Sequence, residues 1–550
     1  MSAPHPLTRW RRTIDLVRVL LATDGRPPAQ WLFELALLAS VAVLVLHATT
    51  AALAAQGEGR LPMRELLMFA LAVGLHQTLM QRASLRVLDA MTEAVGALGR
   101  RTLSAARRLD LRRFEAIGPD TFVARLGDDA SRVVPGSSLV ILLAVALLTV
   151  AFAMLYVAWI SPRAALVTLA VMVAVAVFVG RLERQAGEIV GAARRGREAL
   201  RRPIDDLVAG FAQVKQHRAR GEALAAAFEA ESRRIEAARE TQYRDYYARE
   251  AIGRQGFFAL LGLIGFVVPA IAPDAADRIG ELVIAVAFVF RPVATVIMAT
   301  PQLAAVGDAW ERLRAFADTV EAEAAPPTPS RPASPATFGE LALDGVTFSW
   351  PSTPSRRGFL VGPIDFTLAP GEVVFITGQN GSGKSTFVKL LCGLYARDGG
   401  VMRVDGVEQP PDPGPALRER FAAVFAEFVL FERLHGFDDV DPARVSALLA
   451  EMELDGKVRF ADGRFDTLAL STGQRKRLAL VVALLHDRPV YVFDEWAADQ
   501  DPHFRERFYR QIVPALRARG KAVVAVTHDD DAFDACDRRI HFTDGEVGAP

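Results

Sequence analysis

A chain of 550 residues exceeds the usual size of one compact domain, so two or more units are expected. Hydrophobic residues make up 51% and charged residues 23%, a mixture that suits long apolar segments joined to an ordinary soluble domain and excludes either kind alone. The 64 basic and 64 acidic residues cancel, so overall charge gives no argument for a nucleic-acid partner.

The N-terminus carries Arg9, Arg11, Arg12 and Arg18 around an apolar run broken by Asp15. It lacks the uninterrupted apolar core of a secretory signal and is expected to stay on the chain, inside the cell. Six apolar stretches follow, at 31–55, 61–80, 139–159, 164–180, 257–272 and 279–298. Each approaches the about 20 residues that a helix needs to cross a bilayer. Unpaired backbone groups are too costly in lipid for any other local structure, so these are expected helices. Short connections at 56–60, 160–163 and 273–278 alternate with long Arg-rich segments at 81–138 and 181–256. Positive segments prefer the cytoplasm, which predicts both termini inside and two helical excursions projecting beyond the membrane. Their charges (Arg194, Arg195, Arg197 and Glu198; Arg233, Arg234 and Glu236) are spaced as ion pairs on a solvated helical face.

Residues 321–337 are proline-rich and poor in bulky apolar side chains, a linker between a membrane domain at 1–320 and a second domain at 338–550. In the second domain, β-type runs at 341–350, 373–377, 490–493 and 522–527 alternate with helical patterns. That order predicts a parallel α/β domain with an antiparallel lead-in. Its two cysteines, Cys392 and Cys536, read as reduced core residues.

Directly after the run 373–377 stands Gly378-Gln-Asn380-Gly381-Ser382-Gly383-Lys384-Ser385-Thr386, a complete G-x-x-x-x-G-K-[ST] between strand and helix. Such glycines let backbone N–H groups close around phosphates; Lys384 reaches the outer phosphates and Ser385 can ligate Mg²⁺. The cofactors expected at such a loop are a nucleotide and Mg²⁺. Downstream, Val490-Tyr-Val-Phe-Asp494-Glu495 is an apolar strand ending in two carboxylates. Asp494 suits Mg²⁺, and Glu495 suits orienting or deprotonating an attacking water.

Leu470-Ser471-Thr472-Gly473-Gln474, followed by Arg475-Lys476-Arg477, resembles the LSGGQ-like signature of ATP-binding-cassette (ABC) proteins, with Thr472 in place of a glycine. The resemblance implies that the nucleotide is ATP, and that Ser471, Thr472, Gly473 and Gln474 face ATP bound on an opposite subunit, so that two chains meet. It further implies that Trp350 stacks on adenine, that Asp501 lies on a loop crossing the subunit interface, and that His528 contacts the γ-phosphate. One departure is plain: the family's Mg²⁺-touching glutamine falls at Ala426, followed by Glu427. Either Glu427 substitutes, or coupling between the domains uses other contacts. Segments 114–129 and 205–220 resemble the two coupling segments of ABC exporters.

The wording from Leu470 through Asp494-Glu495-Trp496 to Asp501-Pro502 is similar to the cyclic-peptide export family, half-transporters for peptide siderophores and lipopeptides. The fold implied is a six-helix membrane domain of the type I ABC exporter kind fused to an α/β P-loop cassette. The function implied is ATP-driven export of a peptide-like metabolite across the bacterial inner membrane by a pair of subunits, with the cassette cytoplasmic. A lipid or multidrug exporter is the alternative. Partners implied are a second subunit, the bilayer and peptide-like cargo, with no nucleic acid; the absence of an N-terminal peptidase unit implies no leader cleavage. Arg291, followed by Pro292 in the sixth stretch, either lines a cavity and meets the cargo or pairs with Glu281 or another acid, or snorkels to the interface. His76, in the second stretch, has a weaker claim.

Overall fold

The computed structural model describes residues 18, 28–56, 62–175, 177, 203–326, 338–352, 358–437 and 439–548. The N-terminal basic run ahead of Arg18, the end of the fourth apolar stretch, the Arg194 cluster and the 327–337 part of the linker lie outside the described residues. The chain forms two compact units: Met1–Ser104 with Asp120–Ala322, and Ala105–Pro119 with Glu323–Pro550.

The first unit is helical. Its long elements are Pro28–Gln56, Met63–Ala106, Ser138–Ile160, Arg218–Gly262 and Ile279–Glu323. The last two have 45 residues each, about 68 Å at helical rise, over twice the ~30 Å of a bilayer's hydrocarbon core. Among the described residues, four segments are long and apolar enough to cross a membrane: Phe33–Ala52, Pro119–Ile160, Arg254–Ile271 and Ile279–Val296. The expected second crossing falls short of that measure, because Arg64, Glu65, His76, Gln77, Gln81 and Arg82 dilute its apolar run. The fourth is represented by the shorter apolar helix Pro162–Val175.

Two apolar cores hold this unit, one built on Trp31, Met91, Val133 and Leu313, the other on Leu46, Val157, Ile264 and Leu282. Leu71, Leu155, Leu166 and Phe266 point outward, as side chains solvated by lipid do. Asp129, only 4% exposed, lies between Arg125 at 2.7 Å and Arg312 at 2.6 Å, so a buried charge is met on both sides. Glu281 pairs with Arg278 at 2.6 Å, and Arg291 is exposed. On the Arg218–Gly262 helix, Arg234 pairs with Glu231 at 3.0 Å and Arg233 with Glu229, a solvated ion-paired face with partners N-terminal to each arginine.

The second unit carries strands β1 (Leu341–Trp350), β2 (Phe359–Leu368), β3 (Val373–Gly378), β4 (Gly399–Val404), β5 (Val407–Glu408) and β6 (Phe421–Val424). After these come β7 (Phe460–Ala461), β8 (Arg464–Phe465), β9 (Val490–Asp494), β10 (Ala522–Val526), β11 (Arg538–Thr543) and β12 (Glu546–Gly548). The order β2-β1-β4-β5 makes the antiparallel lead-in, and β12-β11-β3-β10-β9-β6 the main sheet. Its strands from β11 to β6 are parallel. β3, β9 and β10 are buried at every position, the pattern of strands covered on both faces. Helices Lys384–Leu391 and Thr472–His486 supply much of that cover, with Phe387, Leu391, Leu480 and Leu484 in the cores.

Candidate functional site

In a parallel sheet the loops at the carboxyl ends of the strands gather at one edge, where ligands bind. The loop after β3 carries the residues expected to cradle phosphate, Asp494 ends β9, and His528 follows β10. Gly378 has φ +139°, and a Cβ there would lie 2.3 Å from Phe542 O, so only glycine fits. Gly383, at φ +105°, caps the helix Lys384–Leu391. Asn380, Gly381 and Ser385 are exposed at this edge, and Thr386 is half-buried.

Lys384 is 4% exposed, and its Nζ donates to Gly378 O at 2.8 Å and Gln379 O at 2.9 Å, closing the loop on itself. Burial lowers its pKa, against the pull of Glu495 and Asp494. Ser385 Oγ donates to Asp494 Oδ1 at 3.3 Å. Burial raises the Asp494 carboxyl and the neighbouring Glu495 charge adds to it; Ser385 and the Ala426 backbone N–H act in the opposite direction. Glu495 sits at φ +51°, a left-handed turn that carries the chain off the strand. Its Oε1 lies 3.7 Å from His528 Nε2.

Two observations test whether these residues fit a nucleotide with Mg²⁺. The Ser382 hydroxyl is buried at the loop without a hydrogen-bond partner, a group that a phosphate oxygen would satisfy. The paired oxygens of Ser385 and Asp494 are hard donors, of the kind Mg²⁺ takes beside phosphate. The residues present fit both groups.

The signature residues form a second block. Ser471 caps the helix Thr472–His486, and Gln474 returns the bond to the Ser471 N–H, a reciprocal capping box. Thr472 is exposed at the first helical position, which is why a side chain is accepted there in place of glycine. Gly473 has no such room: a Cβ would meet Asp499 O at 2.8 Å. Gln500, 4% exposed, donates to Gly473 O at 3.1 Å and accepts from Arg477 Nε at 2.9 Å. Arg477 also pairs with Asp501, whose carboxylate caps the helix Pro502–Arg507 through Phe504 N at 3.0 Å. Among the described residues no hydrogen bond joins the Ser471 cap to the phosphate loop. The two blocks meet through Lys476, which donates to Glu495 O at 2.7 Å.

Trp350 Nε1 lies 3.5 Å from Thr386 Oγ1, and its ring meets Phe348 and Tyr395 edge-on at 5.3 and 5.5 Å. The aromatic expected at adenine therefore sits against the phosphate-loop helix. The glutamine position has a simple account in part: the Ala426 backbone N–H bonds Asp494, a job that needs no side chain, while Glu427 is exposed.

The expected coupling segment 114–129 divides between the units. Helix Leu111–Ile117, capped by Asp110, belongs with the cassette; the chain from Asp120 belongs with the membrane helices. Tyr395 Oη donates to Glu115 at 3.2 and 3.1 Å, and Lys389, on the phosphate-loop helix, lies 3.6 Å from Glu115. Arg112 reaches Asp398 at 3.1 Å and covers the Phe348 ring at 5.1 Å. The expectation of a short helix against the cassette holds for Leu111–Ile117; it starts three residues ahead of the expected segment, and the Asp110 cap before Leu111 was a readable helix start. The second expected segment, 205–220, runs from a helical stretch ending at 209 through the short helix Phe211–Gln216, with Phe211 exposed, into the start of the Arg218–Gly262 helix.

Fold and site together define a helical membrane domain fused to a P-loop ATP-binding cassette. Residues 361–498 match the ABC transporter family. The chain is 38% identical over 314 residues to the ATP-binding protein SyrD of Pseudomonas syringae pv. syringae, covering 54% of this chain and 55% of that protein. It is 33% identical over 220 residues to the ATP-dependent lipid A-core flippase of Dechloromonas aromatica, 38% of this chain and 37% of that one. The matched part thus spans about half of the first relative and less of the second. The structure of a bacterial Atm1-family ABC exporter with ATP bound superposes with TM-score 0.68 at 17% identity, covering 98% of this chain and 95% of that one. The resemblance to ABC exporters read from the sequence holds in the cassette and in the fold.

Proposed function

We propose that this chain is one subunit of an ATP-driven exporter that moves a peptide-like metabolite, such as a cyclic peptide, lipopeptide or siderophore, across the bacterial inner membrane. The observation that carries the reading is the convergence of Lys384, Ser385, Asp494, Glu495 and His528 in a chain that also bears membrane-length helices. Lys384 keeps the loop closed and sets positive charge beside the outer phosphates of ATP. Ser385 and Asp494 would hold Mg²⁺, which neutralises charge on the phosphate oxygens. Glu495 orients a water and takes its proton as the water oxygen bonds the γ-phosphorus and the bond to the ADP oxygen breaks; His528 stands beside Glu495.

Each chain carries one phosphate loop and one signature block, and among the described residues no hydrogen bond joins the Ser471 cap to that loop. A complete site is then shared by two subunits, with the loop of one facing Ser471, Thr472, Gly473 and Gln474 of the other. Cassettes and both termini lie on the cytoplasmic side, following the Arg-rich loops. The cargo class rests on the wording of the signature and the Asp494-to-Asp501 stretch. A second reading, a lipid or multidrug exporter, is favoured by the flippase relative.

Proteoliposomes decide between them. Peptide cargo predicts ATP-dependent uptake of a labelled cyclic lipopeptide into inside-out vesicles, abolished by Glu495→Gln. Stimulation of ATP turnover by many unrelated amphiphiles but not by peptides would select the second reading.

A further inference from the structure

His528 stands on a turn whose two flanking residues are both held by one buried phenol. Tyr509 is 3% exposed, and its Oη lies 2.6 Å from Thr527 Oγ1 and donates to Asp529 Oδ2 at 2.9 Å. Thr527 Oγ1 accepts from the Asp529 N–H at 3.0 Å, and Arg505 Nη1 donates to Asp529 Oδ1 at 3.3 Å. The ring is clamped by Phe375 of β3 at 5.6 Å and Phe508 at 5.1 Å. Tyr509 lies in the π-turn Phe508–Ile512, an extra residue that interrupts the helical phase after Pro502–Arg507, and such turns cluster at functional sites. The imidazole between Thr527 and Asp529 is itself exposed, so little else around the ring fixes its direction.

We propose that Tyr509 is a positioning residue for His528, holding the turn through Thr527 and Asp529 so that the imidazole stays beside Glu495. The proposal rests on the catalytic reading of Glu495 and His528 given above. It also ties the turn to the signature block: Arg505 belongs to the helix that Asp501 caps, and Asp501 is paired with Arg477. A shift of the signature helix would reach His528 through Arg505 and Asp529, without passing through the nucleotide.

The test uses the full chain in detergent and compares Tyr509→Phe, His528→Ala and the double variant by steady-state ATP hydrolysis. Tyr509→Phe is expected to lower kcat about tenfold with the KM for ATP changed less than about twofold, since the phenol touches no nucleotide-binding residue. The double variant should be no slower than His528→Ala, because Tyr509 acts through that residue. Losses that multiply, or a Tyr509→Phe chain with the wild-type kcat, would overturn the proposal. If Tyr509→Phe does not fold, Asp529→Asn carries the same two expectations. A His528→Ala chain with wild-type turnover would remove the reading of the site as well, whereas a slow His528→Ala beside a fast Tyr509→Phe removes this inference alone.

Discussion

Asp494 is 2% exposed, with burial and Glu495 both working against its charge. A carboxyl whose folded pKa lies above its unfolded value weakens the fold at pH above the unfolded pKa, and the penalty fades as pH falls through the folded one. Asp494→Asn removes that penalty, so the nucleotide-free chain should melt at a higher temperature at pH 7 while ATP turnover is lost; differential scanning calorimetry beside a phosphate-release assay reads both. Glu495→Gln should lower kcat by about 10²- to 10⁴-fold and leave ATP trapped on the protein after gel filtration. Retained turnover would discard Glu495 as the base. The placing of these residues at one edge of the sheet was legible because a glycine loop after one strand and paired carboxylates after another leave few alternatives. What the sequence did not disclose is why Thr472 is accepted where glycine is usual. The reason is spatial: Thr472 is exposed, whereas Gly473 lies under Asp499 O. Gly473→Ala should therefore disturb the signature helix start, with a loss of about 1 kcal/mol or more in stability by chemical denaturation, while Thr472→Gly costs only a few tenths.

At the scale of elements, the helix Leu111–Ile117 was expected near its place, from residue 114, but its start and its partners were not readable. Seven residues are too few for a periodic pattern, and its partners Tyr395 and Asp398 lie about 280 positions further on. Its hold depends partly on acid. Burial raises the Asp398 carboxyl, but the Ser349 hydroxyl and N–H and the Arg112 guanidinium outweigh it and leave the pKa below the usual carboxylate range. A depressed carboxyl contributes stability that is present above its unfolded pKa, about 4, and lost as pH falls through the folded value. Docking is thus intact at neutral pH and loosens only below about pH 4. Tyr395→Phe, which removes the hydroxyl that bonds Glu115, should speed amide exchange across Leu111–Ile117 about fivefold and leave β3 protected. Unchanged exchange would mean that apolar contact of Leu111 holds the helix instead. The strands of the main sheet were far more legible, since β3, β9 and β10 are continuous apolar runs bounded by polar residues or glycine and proline.

For the whole molecule, the two-part layout was readable from hydropathy and the proline-rich stretch; of the six expected crossings, four reach membrane length and apolarity among the described residues. His76 and Gln77 interrupt the second apolar run, and only the first unit's own packing tells which such helices belong to it. Pairing of subunits has a direct check. Cysteines introduced at Ser385 and Ser471 should cross-link between separate chains in the presence of ATP and Glu495→Gln, giving a doubled mass on a denaturing gel. Cross-linking within one chain would contradict a shared site.

The docked helix has a further consequence. Two of its attachments are ion pairs left partly open to water, Arg112–Asp398 at 32% and 37% exposure and Lys389–Glu115 at 25% and 35%. Dissolved salt weakens such pairs, and at 1 M the screening distance shrinks to about 3 Å. The buried phosphate loop, closed by backbone carbonyls, is far less susceptible. In concentrated brine the helix Leu111–Ile117 should therefore loosen from the cassette while the phosphate loop keeps its shape, so amide exchange across that helix rises well before the loop's own does.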